Sequence, residues 1–348
     1  MYNSRMNKPI KSYSLPELQD VVKSLGQPVF RAGQLSQWLY VHHVDSYGKM
    51  TNLPAGLREE LAKEHPLHTA RIVERRVSDD GTRKYLVEFH DGVCVETVAI
   101  PSRGEDRLTV CFSTQAGCPM QCAFCATGQE GLERSLVPGE IVDQVLIAQE
   151  DMGKRVTNVV GMGQGEPFLN YDNTLAALRI LNDGKGLAIG ARHISVSTCG
   201  IIPAIERFSQ EPEQFTLAVS LHAARQPVRD LLMPKASRYQ LNELKKALLS
   251  YVESTNRRVT LEYIMIEDVN DREQDLAALN KFCQDLLCHV NLIPINAVKG
   301  SAFQPSSPST VQKWVDSLRS RGKEATVRDS RGADIDGACG QLKSMRNR

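Results

Sequence analysis

Four of the chain's nine cysteines lie within one short segment, CFSTQAGCPMQCAFCATG, which begins at Cys111. Three of them, Cys118, Cys122 and Cys125, are separated by three and then two residues. Thiolates at such spacing bind soft metals, either zinc or the iron of an iron–sulfur cluster. Structural zinc needs four ligands, and the loop offers three cysteines without a nearby histidine. Three cysteines on a four-iron cluster leave one iron open to a substrate or cofactor. The alternatives are a zinc site and buried structural cysteines.

The composition excludes several classes of protein. The chain has 348 residues, 41% of them hydrophobic and 24% charged, which suffices for two domains or for one large domain with an appendage. No apolar run reaches the length of a membrane span, and MYNSRMNKPIKSY lacks the apolar centre of a signal peptide. Nine cysteines without an export signal favour metal binding or catalysis over a disulfide framework. We therefore expect a cytoplasmic protein with no membrane association.

The charge balance neither indicates nor excludes a nucleic-acid partner. The formal net charge is only +1, but eight basic residues against four acidic ones lie between Arg319 and Arg348. A modest basic segment of this kind is typical of a solvated surface and is also compatible with RNA binding.

The elements that must position the cysteines form three regions. The first is helical: Ser14 and Glu17 predict a capping box, Gly26 ends that helix, a second helix spans residues 30–41, and a third follows Pro54. The second region, residues 71–100, predicts three short strands joined at Asp-Gly turns, which are favoured in hairpins.

The third region, from about residue 106 to 330, alternates strand and helix patterns. Six strands are predicted: LTVCF, VTNVVGMG, HISVST, FTLAVSL, VTLEYIMI and HVNLIPI. Alternating units of this type form parallel sheets with the helices outside. Six units are too few for a closed eight-stranded barrel, so the pattern allows an open sheet or a partial barrel. In both, chemistry is expected at the carboxyl ends of the strands, where the cysteine loop, GMGQGEP, SVST, SLHA and NLIPIN lie.

A family resemblance narrows these alternatives. CxxxCxxC after the first strand of a parallel domain resembles the radical S-adenosylmethionine (SAM) superfamily. More closely, VETV, CFSTQAGCPMQCAFCATG, GEPFLN, SVSTCGIIP, SLHA, NLIPIN and DIDGACGQL occur in the order and spacing of the RNA adenine carbon-2 methyltransferases. That family acts on large-subunit rRNA and on tRNA. The resemblance covers about residues 30–342 and includes the helix FRAGQLSQWLY.

The resemblance implies a fold and a division of the chain. The fold class is α/β, with a partial (β/α)6 radical-SAM barrel, a small N-terminal helical domain and a short β-hairpin or meander linker. The expected boundaries are 1–68 for an RNA-binding helical domain, 69–103 for the linker, 104–333 for the radical-SAM core and 334–348 for a C-terminal tail.

The resemblance also implies the cofactors and their ligands. One 4Fe–4S cluster would be held by Cys118, Cys122 and Cys125, with its open iron binding SAM, and two SAM molecules would be used per turnover. The positions that match SAM-contacting residues of the family are Gly165, Glu166, Ser197, Ser220, Leu221, His222 and Asn296. The family usually has Met where this chain has Gln164, which leaves the local packing open.

The expected reaction explains the remaining cysteines. Carbon 2 of adenine is electron-poor, so it does not attack the electrophilic methyl group of SAM directly, and a radical route is required. By resemblance, Cys339 accepts a methyl group, a radical formed on that group adds to adenine, and Glu96 removes the ring proton. Cys111 then releases the RNA by forming a transient disulfide with Cys339. The implied partners are 23S rRNA, tRNA and an external flavodoxin-like one-electron donor, with the enzyme acting as a monomer.

Two other functions are considered. Related antibiotic-resistance enzymes methylate adenine carbon 8 with the same cysteines, but Pro167 and the residues SLHAAR favour carbon 2. A non-enzymatic iron–sulfur or zinc RNA-binding module would leave Cys111 and Cys339 without a purpose. The other cysteines, Cys94, Cys199, Cys283 and Cys288, are interpreted as structural.

Overall fold

The structure, a computed structural model, describes residues 8–104, 106–296 and 303–342. Its strands are β1 Arg71–Val77, β2 Arg83–Glu88, β3 Cys94–Pro101, β4 Leu108–Cys111, β5 Gln115–Gly117, β6 Leu132–Ser135, β7 Asn158–Gly161, β8 Ile194–Thr198, β9 Thr216–Ser220, β10 Val259–Met265, β11 Cys288–Pro294 and β12 Glu324–Val327. Its α-helices are α1 Leu15–Ser24, α2 Phe30–Tyr40, α3 Ala55–Glu64, α4 Ala126–Glu130, α5 Pro138–Met152, α6 Tyr171–Asn182, α7 Ile202–Phe208, α8 Gln226–Leu232, α9 Leu241–Thr255, α10 Glu273–Cys283 and α11 Pro308–Ser320.

The N-terminal helices begin and end where the sequence predicts. The Ser14 backbone N–H donates to Glu17 Oε2 at 2.7 Å, which completes the capping box, and Gly26 adopts φ +68° after α1. Lys11 and Asp143 form a buried ion pair of 2.7 Å between the N-terminal segment and α5. Apolar residues of α1 and α2 belong to the same buried cluster as those of the sheet, so these helices are packed onto the core.

The main sheet has ten strands in the order β1-β2-β3-β4-β7-β8-β9-β10-β11-β12. The first four are antiparallel neighbours, and the pairing of β3 with β4 sets Val98 opposite Cys111. The meander expected as a linker is therefore hydrogen-bonded into the core sheet. This pairing brings the VETV segment beside the strand that carries Cys111.

In the main sheet the strands β4, β7, β8, β9, β10, β11 and β12 are parallel, and the intervening helices complete six βα units. The strands β5 and β6 form a separate antiparallel pair. All six predicted strands are present. The strand order does not close on itself within the described residues, which confirms the partial barrel. β12 was not predicted. The helices α7 and α8 were also missed, because each has only seven residues and too few turns to display a helical period.

In the part of the chain that the structure describes, no helix combines the length and apolar character needed to cross a membrane.

Candidate active site

The carboxyl ends of the parallel strands surround a cleft with about 870 Å³ of empty space, which we call the cluster cleft. Its walls come from the cysteine loop after β4, the glycine-rich turn after β7, and the ends of β8, β9 and β10. The residues that matter for chemistry are Cys118, Cys122, Cys125, Gly165, Glu166, Ser197, Cys199, Ser220, His222, Glu262, Arg328 and Cys339.

The cysteine loop is folded tightly around its sulfur atoms. The Met120 backbone N–H donates to the Cys118 sulfur, and burial raises the pKa of that thiol to about 12. Burial, followed by the nearby Cys122, likewise raises the pKa of Cys125. A Cβ atom at Gly128 would lie 2.9 Å from the Cys122 nitrogen, so the loop closes here only with glycine. Metal binding would displace the thiol protons and use the N–H donors to support the thiolates.

The arrangement of the sulfurs fits an iron–sulfur cluster better than zinc. A zinc ion with bonds of about 2.3 Å would draw its sulfur ligands to within about 3.8 Å of one another. Among the described residues, the only set of three candidate ligands whose atoms all lie within 4.8 Å is His90, Asp91 and Glu140, far from this loop in sequence. Arg134 pairs with both carboxylates of that set at 2.8 Å. The three cysteines do not form such a close set in this structure, and three thiols without a fourth ligand suit a cluster with one open iron better than a closed zinc site.

The glycine-rich turn after β7 brings backbone close to the cleft. Gly165 has φ +99°, and a Cβ atom there would lie 2.6 Å from Gln115 Cβ, so only glycine fits. Glu166 is buried, and its carboxylate accepts the N–H groups of Phe168 at 2.9 Å and Cys199 at 2.6 Å. Burial nevertheless raises the pKa of Glu166. The remaining lone pairs of this carboxylate face a cleft where an ammonium group would be stabilised.

Gln164 is fully compatible with its buried position. Its side-chain oxygen accepts the Glu96 backbone N–H at 2.9 Å, which ties the glycine-rich turn to β3. The polar amide found where the family usually has Met therefore has a hydrogen-bond partner in its buried position.

The ends of β8 and β9 contribute hydroxyl groups and an imidazole. The Ser197 and Ser220 hydroxyls lie 3.3 Å apart on one wall of the cleft. His222 Nδ1 accepts the Ile264 backbone N–H at 3.0 Å, and burial, with Arg229 nearby, lowers the His222 pKa to about 3. The imidazole is therefore neutral and carries its proton on Nε2. Phe124 packs edge-on against it, with ring centroids 4.8 Å apart.

A second cleft lies beside the first, and we call it the thiol cleft. It is lined by Thr109, Cys111, Met162, Asn296, Arg328, Asp329, Arg331, Cys339 and Leu342, among others. Cys111 is buried at the end of β4, where it packs with Val98 and Leu342. Burial, with a further contribution from Cys339, raises the Cys111 pKa to about 12. Cys339 lines both clefts and so lies between the cluster loop and Cys111.

The C-terminal tail is held on both sides. Gly340 O accepts the Ala126 N–H at 2.8 Å, and Leu342 O accepts the Thr127 hydroxyl at 2.7 Å, which fastens the tail to the cluster loop. Upstream, Arg331 pairs with Asp80 at 2.6 Å, at the turn between β1 and β2. The tail is thus anchored on both sides of Cys339. Lys343, Arg346 and Arg348 of the basic segment lie outside the described residues.

Besides Cys111, which lines the thiol cleft, three expected site residues lie apart from the cluster cleft. Leu221 is fully buried and does not line it, so only its backbone could face a ligand. Asn296 lines the thiol cleft, where its amide donates to Cys339 O at 3.5 Å. Glu96 does not appear among the described residues lining either cleft, and it forms a buried ion pair of 2.9 Å with Lys84. Lys84 also donates to Asp336 O in the tail at 3.2 Å, which keeps Glu96 near the thiol cleft.

Sequence reasoning missed three side chains at the site. Glu262, on β10, lines the cluster cleft. Cys199, interpreted as structural, lines the cluster cleft and forms a sulfur hydrogen bond with Cys122. Arg328 follows the unpredicted β12 and lines both clefts. A polar residue directly after a short β-prone run, such as EATV, is the signal that could have pointed to Arg328.

The basic residues of β1 are paired with acidic residues. Arg71 lies 2.6 Å from Glu88, Arg75 lies 2.6 Å from Asp151, and Arg76 lies 2.6 Å from Glu74. This strand face therefore carries less free positive charge than its sequence indicates.

A three-cysteine loop at the mouth of an incomplete βα barrel defines a radical SAM enzyme. The Radical SAM superfamily model matches residues 112–279, and the model of the ribosomal RNA large subunit methyltransferase N-terminal domain matches residues 10–66. A crystal structure of a radical SAM methyltransferase from Sphaerobacter thermophilus superposes with a TM-score of 0.91, at 43% identity over 97% of this chain and all of that one.

Full-length relatives identify the family. A probable dual-specificity RNA methyltransferase RlmN from Synechococcus elongatus is 46% identical over 97% of this chain and 94% of the relative. One from Alkaliphilus metalliredigens is 44% identical over 95% of this chain and 94% of its own length. The chain belongs to the RlmN family of dual-specificity RNA methyltransferases. It is a SAM-dependent RNA methyltransferase, and the family implies a 4Fe–4S cluster and SAM as its cofactors.

Proposed function

We propose that this enzyme methylates carbon 2 of specific adenosines in both 23S rRNA and tRNA, at the peptidyl-transferase centre and 3′ of the anticodon. The observation that carries the proposal is the position of Cys339, which lines the cluster cleft and the thiol cleft together. A thiol there can receive a group at one cleft and be attacked by a second thiol at the other. The printed function of the relatives, dual-specificity RNA methylation, supports the choice of substrates.

The residues of this chain would hold the cofactors as follows. Cys118, Cys122 and Cys125 would bind the cluster, while Glu166, Ser197, Ser220 and the backbone at Gly165 would bind SAM. When bound, these cofactors supply an electrophilic methyl group and, separately, one-electron cleavage of a carbon–sulfur bond. The neutral His222, with Nε2–H toward the cleft, would donate a hydrogen bond, and Phe124 would exclude water.

The chemistry of the two thiols follows from their separation into two clefts. The Cys339 sulfur would take the methyl group, give up one methyl hydrogen atom to the radical, and then bear the methylene carbon joined to the adenine ring. That ring would lose its carbon-2 proton to the base and the one unpaired electron left by radical addition to the one-electron carrier, so that a closed-shell adduct remains. The Cys111 thiolate then attacks the Cys339 sulfur, so that an S–S bond forms and the bond from that sulfur to the methylene carbon breaks with its electron pair. A proton on that carbon completes the methyl group. Two electrons from an external thiol reductant reopen the disulfide.

Glu96 is proposed as the base that removes the proton from carbon 2. Its ion pair with Lys84 neutralises the carboxylate in the resting enzyme, and the contact of Lys84 with Asp336 couples that pair to the tail. Movement of the tail when RNA enters would free Glu96 to accept the proton.

RNA would be bound by the N-terminal helical domain, the meander and the basic loops near the barrel mouth, with the target base turned out of its stack to reach Cys339. The matched rRNA methyltransferase N-terminal domain at residues 10–66 supports this assignment. We further propose that the enzyme acts as a cytoplasmic monomer served by a flavodoxin-like one-electron donor.

Mass spectrometry of the RNA and of the protein tests the proposal. Fragments of 23S rRNA and tRNA from cells with and without the enzyme should differ by a methyl group on adenine carbon 2; a carbon-8 product would overturn the proposal. Peptide mapping should find S-methylcysteine at Cys339, and RNA covalently attached to Cys339 in Cys111→Ala. Anaerobic protein that holds zinc without labile sulfide would instead favour a binding module.

A further inference from the structure

Arg328 is placed between the two thiols that the proposed function uses. It directly follows β12, where its backbone N–H donates to Leu292 O at 2.8 Å. Its side chain lines both clefts, as Cys339 does, and Nη1 lies 3.6 Å from the sulfur of Met162. Met162 belongs to the glycine-rich turn, and its backbone N–H donates to the Cys111 sulfur. The guanidinium is thus held by the walls that separate Cys339 from Cys111.

The other charged groups around the thiols are engaged elsewhere. Glu262 Oε2 lies 3.8 Å from Arg328 Nη1 and also accepts a hydrogen bond from Asn291 at 2.9 Å. Arg331 lines the thiol cleft but pairs with Asp80, and Lys84 pairs with Glu96. Asp329, also in that cleft, is acidic. Of the described residues that line both clefts, Arg328 is the only cation, and its own ion pair with Glu262 is long at 3.8 Å.

We propose that Arg328 is a shared counter-charge that stabilises the Cys339 thiolate first and the Cys111 thiolate after Cys339 has been methylated. The proposal rests on the proposed function, because it assigns an order to the two thiols of that mechanism. It concerns residues of this chain alone and can be measured without RNA or SAM.

The order follows from electrostatics. While Cys339 is ionised, its negative charge opposes ionisation of Cys111 and occupies the single cation, and the direction of both effects agrees with the shifted pKa values of Cys111 and Arg328. Methylation turns the Cys339 sulfur into a neutral thioether. The repulsion then disappears and Arg328 acts on Cys111 alone. Cys111 consequently stays protonated until the carrier is loaded, which limits premature methylation of Cys111 and premature disulfide formation.

The test measures thiol ionisation in the full-length, cluster-loaded enzyme under anaerobic conditions. Iodoacetamide reacts with thiolates, so peptide mass spectrometry across a pH series gives the midpoint at which Cys111 and Cys339 become reactive. Cys339→Ser imitates the uncharged, loaded carrier at nearly the same size. Cys94 lies outside both clefts and serves as the internal control.

Three results are expected. In Cys339→Ser the Cys111 midpoint falls by about one pH unit, which is about tenfold faster reaction below the midpoint. In Cys339→Ser combined with Arg328→Gln this fall is smaller, because the repulsion from Cys339 is still lost but the cation no longer acts on Cys111. Arg328→Gln raises the Cys339 midpoint, whereas the isosteric Glu262→Gln, which frees the cation from its acidic partner, lowers it. The Cys94 midpoint stays constant throughout.

Opposite shifts from two neighbouring changes that each remove one charge are not produced by a general loss of packing, and Arg328→Lys should restore most of the effect if Arg328→Gln folds poorly. An unchanged Cys111 midpoint in Cys339→Ser, or a fall of the same size without Arg328, overturns the inference. Normal RNA methylation with unshifted midpoints would refute the inference and leave the proposed function standing. Shifted midpoints in an enzyme that methylates no RNA would refute the proposed function and retain the charge sharing.

Discussion

The cluster loop and the thiol pair show two ways of building a reactive site. Cys118, Cys122 and Cys125 lie within one turn-rich segment and are held by neighbouring backbone N–H groups. Cys111 and Cys339 come from opposite ends of the core and meet only because the tail returns to β4. The first site is defined by local geometry, and the second depends on contacts between distant segments.

The difference matches what each site must do. A cluster has to stay bound through every turnover, so local ligands on a tight loop are an advantage. The thiols must form and break covalent bonds in sequence, so their approach has to be adjustable. A tail fastened by a few hydrogen bonds meets that need, since each bond contributes only about 1 kcal/mol.

The largest effect is expected from the cluster loop. Cys122→Ala should abolish both the cluster and RNA methylation, because the remaining two thiols cannot hold a four-iron cluster with one open site. Iron, labile sulfide and methylated RNA should all fall to background. Cys94→Ala is the matched control and should keep all three. A Cys122→Ala enzyme with a full cluster would mean that Cys199 replaces it as a ligand.

A change in the thiol pair should abolish RNA methylation without loss of the cluster. Cys339→Ala should abolish RNA methylation completely while iron and sulfide remain at wild-type levels, because the tail contributes no cluster ligand in this arrangement. Methylation that survives in this variant would show that the methyl group does not pass through Cys339.

A smaller loss is expected at Glu96. Glu96→Gln should reduce the single-turnover rate of RNA methylation by about 10²–10⁴-fold, as for a positioned general base. Covalent RNA should accumulate on Cys339 before proton removal, and this is read by gel shift. Lys84→Met separates the roles: it removes the ion pair but keeps the base. An equal loss in Lys84→Met would indicate that the pair only supports the tail.

The anchor between the tail and the meander should show a pH signature. Burial alone would raise the Asp80 pKa, but hydrogen bonds from Thr82 and Gly332 and the Arg331 guanidinium hold it well below the usual range. A depressed pKa stabilises the fold above the ordinary aspartate pKa of about 3.9, and this contribution is lost as pH falls below that value. Thermal unfolding of the wild type should therefore lose stability in acid more steeply than Asp80→Asn. If wild type and Asp80→Asn lost stability equally as the pH falls, the ion pair of Asp80 with Arg331 would not contribute to stability.

The smallest effect is expected where the tail meets the cluster loop. Thr127→Ala removes the hydrogen bond to Leu342 O and should cost about 1 kcal/mol, or about a fivefold slower formation of the Cys111–Cys339 disulfide on oxidation. Non-reducing peptide mapping measures that rate. Thr127→Ser retains the hydroxyl and should behave as wild type; a slow Thr127→Ser enzyme would indicate that the methyl group matters instead.

Much of the fold could be predicted from periodicity and turn chemistry. The capping box at Ser14, the Asp-Gly turns and the six core strands all have signals within a few residues, and each is present. β12 was missed because only Ala325 of its four residues is buried, so the strand lacks an apolar pattern. The seven-residue α7 and α8 are too short to show a period. The pairing of β3 with β4 joins segments through a register that no local pattern encodes.

The amino-acid sequence by itself determined the candidate cluster ligands, the glycine-rich turn and the family, because each is a short motif with specific spacing. Only the tertiary structure decided which distant side chains share a cleft. It brought Cys339 to Cys111 and added Arg328 and Cys199, while Glu96 is paired with Lys84. The physical reason is that metal-ligand spacing is local along the chain, whereas burial and electrostatic pairing act through space.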